Sequence, residues 1–211
     1  MTALETITRT RVVAVLRASD AARFADIAEV LADAGITCIE FTLSSAGSLE
    51  ALRKFADLRR PDVVLGAGTV LDAASASAAV EAGATYLISP ALCLDVLDRG
   101  IELGVPVLPG ACTPSEILQA WRAGASAVKV FPAAQAGGPA YIEAVRAPLP
   151  HIPLVPTGGI VISEAAAYLR AGALAVGLGG PLLGDAGTGG DLGALHERAL
   201  DLVGRVGEVQ S

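Results

Sequence analysis

Lysine is almost missing from this sequence. Two lysines stand against thirteen arginines in 211 residues, so positive charge is written as guanidinium nearly throughout. Lys54 lies in the charged run Leu52-Arg53-Lys54-Phe55, but Lys129 interrupts the apolar, strand-like run Ala127-Val128-Lys129-Val130-Phe131. An ammonium is costly to remove from water, so that position favours an uncharged, nucleophilic amine, the form that Schiff-base chemistry requires. The segment by itself is equally compatible with a lysine that snorkels to solvent or pairs with a buried carboxylate.

Other scarcities exclude whole classes. Cys38, Cys93 and Cys112 are odd in number, far apart and mostly within apolar segments, so they read as reduced thiols of a cytoplasmic protein and not as a disulfide set. The two histidines, His151 and His196, stand alone, and no His/Cys/carboxylate group has metal-ligand spacing; neither a metal nor a cofactor is expected. No apolar run approaches the roughly 18 residues of a membrane span. The first residues, Met1-Thr2-Ala3-Leu4-Glu5-Thr6, carry an early acid and no apolar core, unlike a signal peptide. A net charge of −7 without any basic stripe argues against a nucleic-acid partner. It leaves an anionic small molecule open, because backbone amides hold phosphate without side-chain charge.

What is abundant is apolar sequence, 53% of the chain. Buried parallel strands explain this, since they read as continuous apolar runs. Residues 2–10 read as a short helix and Val12–Leu16 as the first strand. Ser19 and Asp20 offer an N-cap for a helix running to about Ala34. A phrase then recurs in which a helix ends in a small or apolar residue plus glycine and a strand follows at once: Ala34-Gly35, Ala82-Gly83, Leu103-Gly104, Ala123-Gly124 and Ala171-Gly172. Strands are expected at 12–16, 36–43, 63–66, 85–88, 105–108, 127–131, 152–155 and 175–178. Thr113-Pro114-Ser115-Glu116 is a capping box with proline at the first helical position. Gly184 to Gly190 reads as a loop, and the tail beyond Val203 as frayed. Eight alternating units predict a single domain over 1–211, a (β/α)8 TIM barrel with a short N-terminal helix. The alternative, a doubly wound sheet, would carry a GxGxxG turn after its first strand, which is absent.

In a barrel, chemistry sits where strands end. Those ends read Arg17; Glu40 with Thr42; Gly66-Ala67-Gly68-Thr69; Ser89-Pro90; Pro109-Gly110; Lys129 with Phe131-Pro132; Thr157-Gly158-Gly159; and Gly179-Gly180. Glu40 on its apolar strand is either half of a structural ion pair or an acid/base group whose proton affinity burial has raised. The glycine pairs after strands seven and eight are either ordinary turns or the amide cradle that holds phosphate in many barrels.

Together Ile39-Glu40-Phe41-Thr42-Leu43, Gly66-Ala67-Gly68-Thr69-Val70, Ile88-Ser89-Pro90, Val128-Lys129-Val130-Phe131-Pro132-Ala133 and Pro156-Thr157-Gly158-Gly159-Ile160 resemble, in order, the 2-keto-3-deoxy-6-phosphogluconate (KDPG) aldolase family. That family includes the 4-hydroxy-2-oxoglutarate and 2-keto-3-deoxy-6-phosphogalactonate aldolases. The resemblance implies a metal-independent class I lyase, a homotrimer acting on a phosphorylated keto acid in the Entner–Doudoroff route. It implies that Lys129 forms the Schiff base and that Glu40 accepts a proton through water. It also implies that Thr69 holds the pyruvate carboxylate, that Thr157, Gly158 and Gly159 line the phosphate end, and that Thr42, Pro90, Phe131, Gly179 and Gly180 line the rest of the substrate site. Gluconate-type members follow E-x-T-L with an arginine, where this chain has Ser44, and carry a serine where it has Gly180. Those departures, with Arg17 ending strand one, look partly like the galactonate-type members, and Arg17 is the arginine expected to reach the carboxylate in place of a residue at 44. Rival readings are a non-catalytic barrel that binds a phosphorylated metabolite and a decarboxylase or isomerase on the same frame.

Overall fold

The computed structural model describes residues 2–209. Its strands are β1 (Val12–Leu16), β2 (Cys38–Thr42), β3 (Val64–Gly68), β4 (Tyr86–Ile88), β5 (Val107–Leu108), β6 (Gly110–Ala111), β7 (Val128–Val130), β8 (Leu154–Pro156) and β9 (Val176–Leu178). Every pairing is parallel, and helices fill the crossovers. No helix among the described residues is long and apolar enough to cross a membrane.

The α/β frame of parallel strands expected of a (β/α)8 barrel is present, but its strands pair as two sheets. Six strands form one sheet in the order β5-β4-β3-β2-β1-β9, and β6-β7-β8 form a second. The expected fifth strand is split at Pro109: β5 pairs with β4, whereas β6 pairs with β7. Proline has no amide hydrogen for a ladder, so the register cannot run through it. Single hydrogen bonds cross both seams. Ser126 N donates to Val107 O at 3.0 Å, Leu174 N donates to Leu154 O at 2.8 Å, and Thr157 bridges Gly177.

The recurring helix-glycine-strand phrase has one physical basis. Gly35, Gly83, Gly104, Gly124 and Gly172 all lie at positive φ, and the residue after each donates back into the helix it leaves. Ile36 N reaches Leu31 O, Ala84 N reaches Ala79 O, and Ala173 N reaches Tyr168 O, the long bond of a Schellman cap. Those residues are committed to the cap, and the strands after them begin one or two residues later than the apolar runs suggest.

Two further expectations are corrected. The first long helix spans Phe24–Asp33, and its N-cap Arg23 makes no side-chain cap; Asp20 instead bridges Ala46 and accepts from Ala22 N at 3.1 Å. The last helix runs unbroken through Leu192–Gly207, because Val206 is buried beyond the point of expected fraying. Within the loop 184–190, Ala186–Thr188 form a 3-10 turn. The capping box at Thr113 and Glu116 forms as read.

Two apolar clusters divide the interior. The larger lies between strands and helices. The smaller draws Val13, Cys38, Tyr86, Leu108 and Val155 from strands of both sheets and joins them to Ala3 and Ile7 of the N-terminal helix Ala3–Thr10. The two sheets therefore share one interior, and that helix closes one end of it. Ile7 is fully buried there. Ile7→Ala should lower stability by about 3 kcal/mol in urea denaturation, the usual size for a buried branched aliphatic cut to alanine. A loss under about 1 kcal/mol would show that the helix merely lies against the surface.

Candidate active site

Lys129 sits in the middle of β7, its amide fixed to Pro109 O at 3.0 Å. The residue is only 4% exposed, and its Nζ lies 5.5 Å from the centroid of the Phe131 ring. It enters the wall of a cavity of about 140 Å3 at the carboxyl ends of the strands. Arg17, Phe131, Thr157, Gly158, Gly159, Gly179 and Gly180 line the same cavity, so eight of the residues singled out by sequence meet in one place.

Glu40 is buried in the interior with neither carboxyl oxygen hydrogen-bonded to another protein group. Burial pushes its proton affinity up; the fields of Lys129 and then Arg17 oppose that shift without cancelling it. The sequence makes room for this carboxyl by omission. A Cβ added to Gly68 would lie 1.6 Å from Glu40 Oε1, so a side chain there would displace the acid. Thr69, next along, holds φ 57, a costly conformation for a β-branched residue, and its hydroxyl accepts from Arg17 Nη2 at 3.0 Å. Such strain tends to persist where surroundings fix a functional group.

The Thr157-Gly158-Gly159 turn is equally constrained. Gly158 and Gly159 have φ +95 and +77, and a Cβ on Gly158 would meet the Phe131 ring at 2.9 Å. Gly180 differs, with open space around a hypothetical Cβ, so nothing steric forbids a serine there.

Other expected residues lie apart. The Thr42 hydroxyl donates to Leu16 O at 2.9 Å and meets Ser45 Oγ at 3.2 Å, so it is committed to the fold. Ser44 is exposed, Pro90 is half-buried, and neither lines the cavity. The sequence reading missed Val15, Ile160, Gly177 and Pro181, which do. Gly177 carried a usable signal, a glycine inside an apolar strand. Its Cβ would lie 2.3 Å from Thr157 Oγ1, so its absence lets that hydroxyl approach. Among the described residues no cluster of metal-ligating side chains occurs.

The family profile "KDPG and KHG aldolase" matches residues 4–196. The chain belongs to that family. Among KDPG and KHG aldolase relatives, the 2-dehydro-3-deoxy-phosphogluconate aldolase of Pseudomonas aeruginosa is 38% identical over 75% of this chain and 72% of its own length. The 2-dehydro-3-deoxy-6-phosphogalactonate aldolase of Escherichia coli is 34% identical over 71% of this chain and 73% of its own. A solved KDPG aldolase from Legionella pneumophila, with pyruvate captured as a covalent carbinolamine intermediate, superposes with a TM-score of 0.85 at 28% identity. That alignment covers 96% of this chain and 98% of the other.

In this member of the KDPG and KHG aldolase family the buried acid has a thermodynamic signature. The unfolded chain releases the Glu40 proton in the ordinary glutamate range, whereas the folded chain holds it to higher pH. Between those two values the folded state carries the extra proton, so stability falls as pH rises and stays lowered above the window. Glu40→Gln has no such proton. It should be more stable than the parent at neutral pH, with the advantage vanishing at and below the ordinary glutamate range. Urea denaturation across pH measures the difference, and a Gln variant less stable at pH 7 would refute it.

Proposed function

We propose that this chain is a metal-independent class I aldolase that cleaves 2-keto-3-deoxy-6-phosphogluconate to pyruvate and glyceraldehyde 3-phosphate, and 4-hydroxy-2-oxoglutarate to pyruvate and glyoxylate. One observation carries the reading: a nearly buried lysine opens into a glycine-walled cavity, and its field reaches an unpartnered carboxyl, Glu40, buried behind the cavity wall. We read the two curled sheets, sharing one interior, as a single-domain (β/α)8 barrel whose ladder is broken at Pro109. The protein would work as a cytoplasmic homotrimer in the Entner–Doudoroff route, as the family resemblance implies.

The chemistry follows from the residues present. The Lys129 amine attacks the C2 ketone, and loss of water gives an iminium that withdraws electrons from C3. Glu40, its proton affinity raised by burial, takes the C4 hydroxyl proton through a water molecule. The C3–C4 bond breaks, its electron pair flows into the iminium as an enamine, and the aldehyde departs. Protonation at C3 and hydrolysis then release pyruvate and restore the amine. Thr157, Gly158 and Gly159, with Gly179 and Gly180, would hold the phosphate through their backbone amides.

A second reading, the galactonate epimer as substrate, is favoured by one contact. Ser44 is exposed, and Arg17, which lines the cavity, is hydrogen-bonded to Thr69. That pair would form the carboxylate clamp. Turnover of the two epimers side by side separates the readings.

Pyruvate with borohydride should leave one reduced pyruvyl group on Lys129, read by peptide mass spectrometry. Label on Lys54, or none, would return the chain to a non-catalytic metabolite-binding barrel. Arg17→Ala should weaken pyruvate binding by about 2 kcal/mol, the range for losing a hydrogen bond to a charged group. Ser44→Arg in that background should recover part of it. An unchanged affinity in Arg17→Ala would leave Thr69 and backbone amides as the carboxylate site.

A further inference from the structure

Tyr86 is the side chain in the interior that the proposed chemistry leaves without a task. It is fully buried in the inner cluster, yet its hydroxyl has no hydrogen-bond partner. A phenylalanine would fill the same space without burying an unpaired donor. The sheet register shows where that donor lies. Glu40 pairs with Gly66 across β2 and β3, and Gly66 pairs with Tyr86 across β3 and β4. The three residues thus form one row across the sheet, and glycine leaves its middle empty. The Tyr86 ring fills it: a Cβ on Gly66 would lie 2.2 Å from Cζ and 2.4 Å from the adjacent ring carbon. Neighbouring strands are about 4.8 Å apart, so tyrosine and glutamate close the two-strand gap from opposite sides.

The groups that face Glu40 can be named from every side. Lys129 on β7 and Arg17 after β1 bear on it electrostatically, Tyr86 faces it from β4, and Cys38 lies two residues below it on β2. Cys38 does not compete for the phenol. Its thiol is held uncharged by burial, with its pKa pushed up to about 11, and it already meets Thr10 Oγ1 at 3.4 Å. The Glu40 carboxyl therefore remains the acceptor within the row.

We propose that Tyr86 is a positioning residue for Glu40, its phenol O–H serving as the internal donor that holds the carboxylate, through one bridging water, in its proton-accepting form. The inference rests on the aldolase reading for its role in turnover, though the contact itself stands apart from it. It makes Gly66 part of the site, since any side chain there would push the phenol out of the row. Donation to the ionised form favours that form, so Tyr86 opposes the burial that drives Glu40 toward the neutral acid.

Tyr86→Phe removes one oxygen and leaves the ring. The acid limb of the kcat profile should move up by about one pH unit, a tenfold rise in proton affinity, with KM little changed. Tyr168 supplies the control, a second buried phenol without a partner, in the outer cluster. Tyr168→Phe should leave the profile where it is. A Tyr86→Phe profile superimposable on the parent's would overturn the proposal. Borohydride trapping of pyruvate is run on all three proteins, and failure in the parent too would count against the aldolase reading alone. In that event pH-difference infrared spectroscopy of the unliganded proteins decides. The carboxyl band that disappears in Glu40→Gln should titrate at higher pH in Tyr86→Phe, and an unmoved titration would reject the contact.

Discussion

Holding an amine and a carboxyl in one dry interior is the constraint from which the rest of this architecture follows. Either group alone, taken out of water, would be driven toward its neutral form, and the two together can be accommodated only where the walls give way. The walls give way through missing side chains. Gly66 and Gly68 on β3 make room for Tyr86 and Glu40, and Gly177 on β9 makes room for Thr157. Larger residues at those positions would fill the interior better and exclude the groups that occupy it. The interior is thus built around polar atoms at the upper end and is conventionally apolar only below them, where Val13, Leu108 and Val155 pack.

The glycines at the helix ends serve another purpose. Each lets the chain leave a helix through a left-handed residue and start a strand almost at once, so that successive strands arrive at comparable heights. Levelling the strands brings their carboxyl ends to one rim. Lys129, Thr157 and Gly179, scattered over fifty residues of sequence, come to one cavity for that reason.

Much of this could be read from residue types. The caps at Gly35, Gly83 and Gly172, the capping box at Thr113, and the meeting of Arg17, Lys129 and the Thr157-Gly158-Gly159 turn all rest on local rules, and local rules survive folding. What failed needed information from across the fold. Thr42 shares a strand face with Glu40 but finds Leu16 O first. Asp20 has a capping side chain but is claimed by a bridge to Ala46. The break at Pro109 was legible in principle, since a proline inside a strand run always interrupts donation; the split pairing on its two sides was not. The row Glu40–Gly66–Tyr86 depends on register, which no single segment specifies.

The N-terminal helix has a consequence for the two sheets. Ala3 and Ile7 pack into the same inner cluster as Val13, Tyr86, Leu108 and Val155, which come from strands of both sheets. One short helix thus ties together, by side-chain packing, two sheets whose ladders do not run into each other. Anything that loosened its seat would loosen both sheets at once.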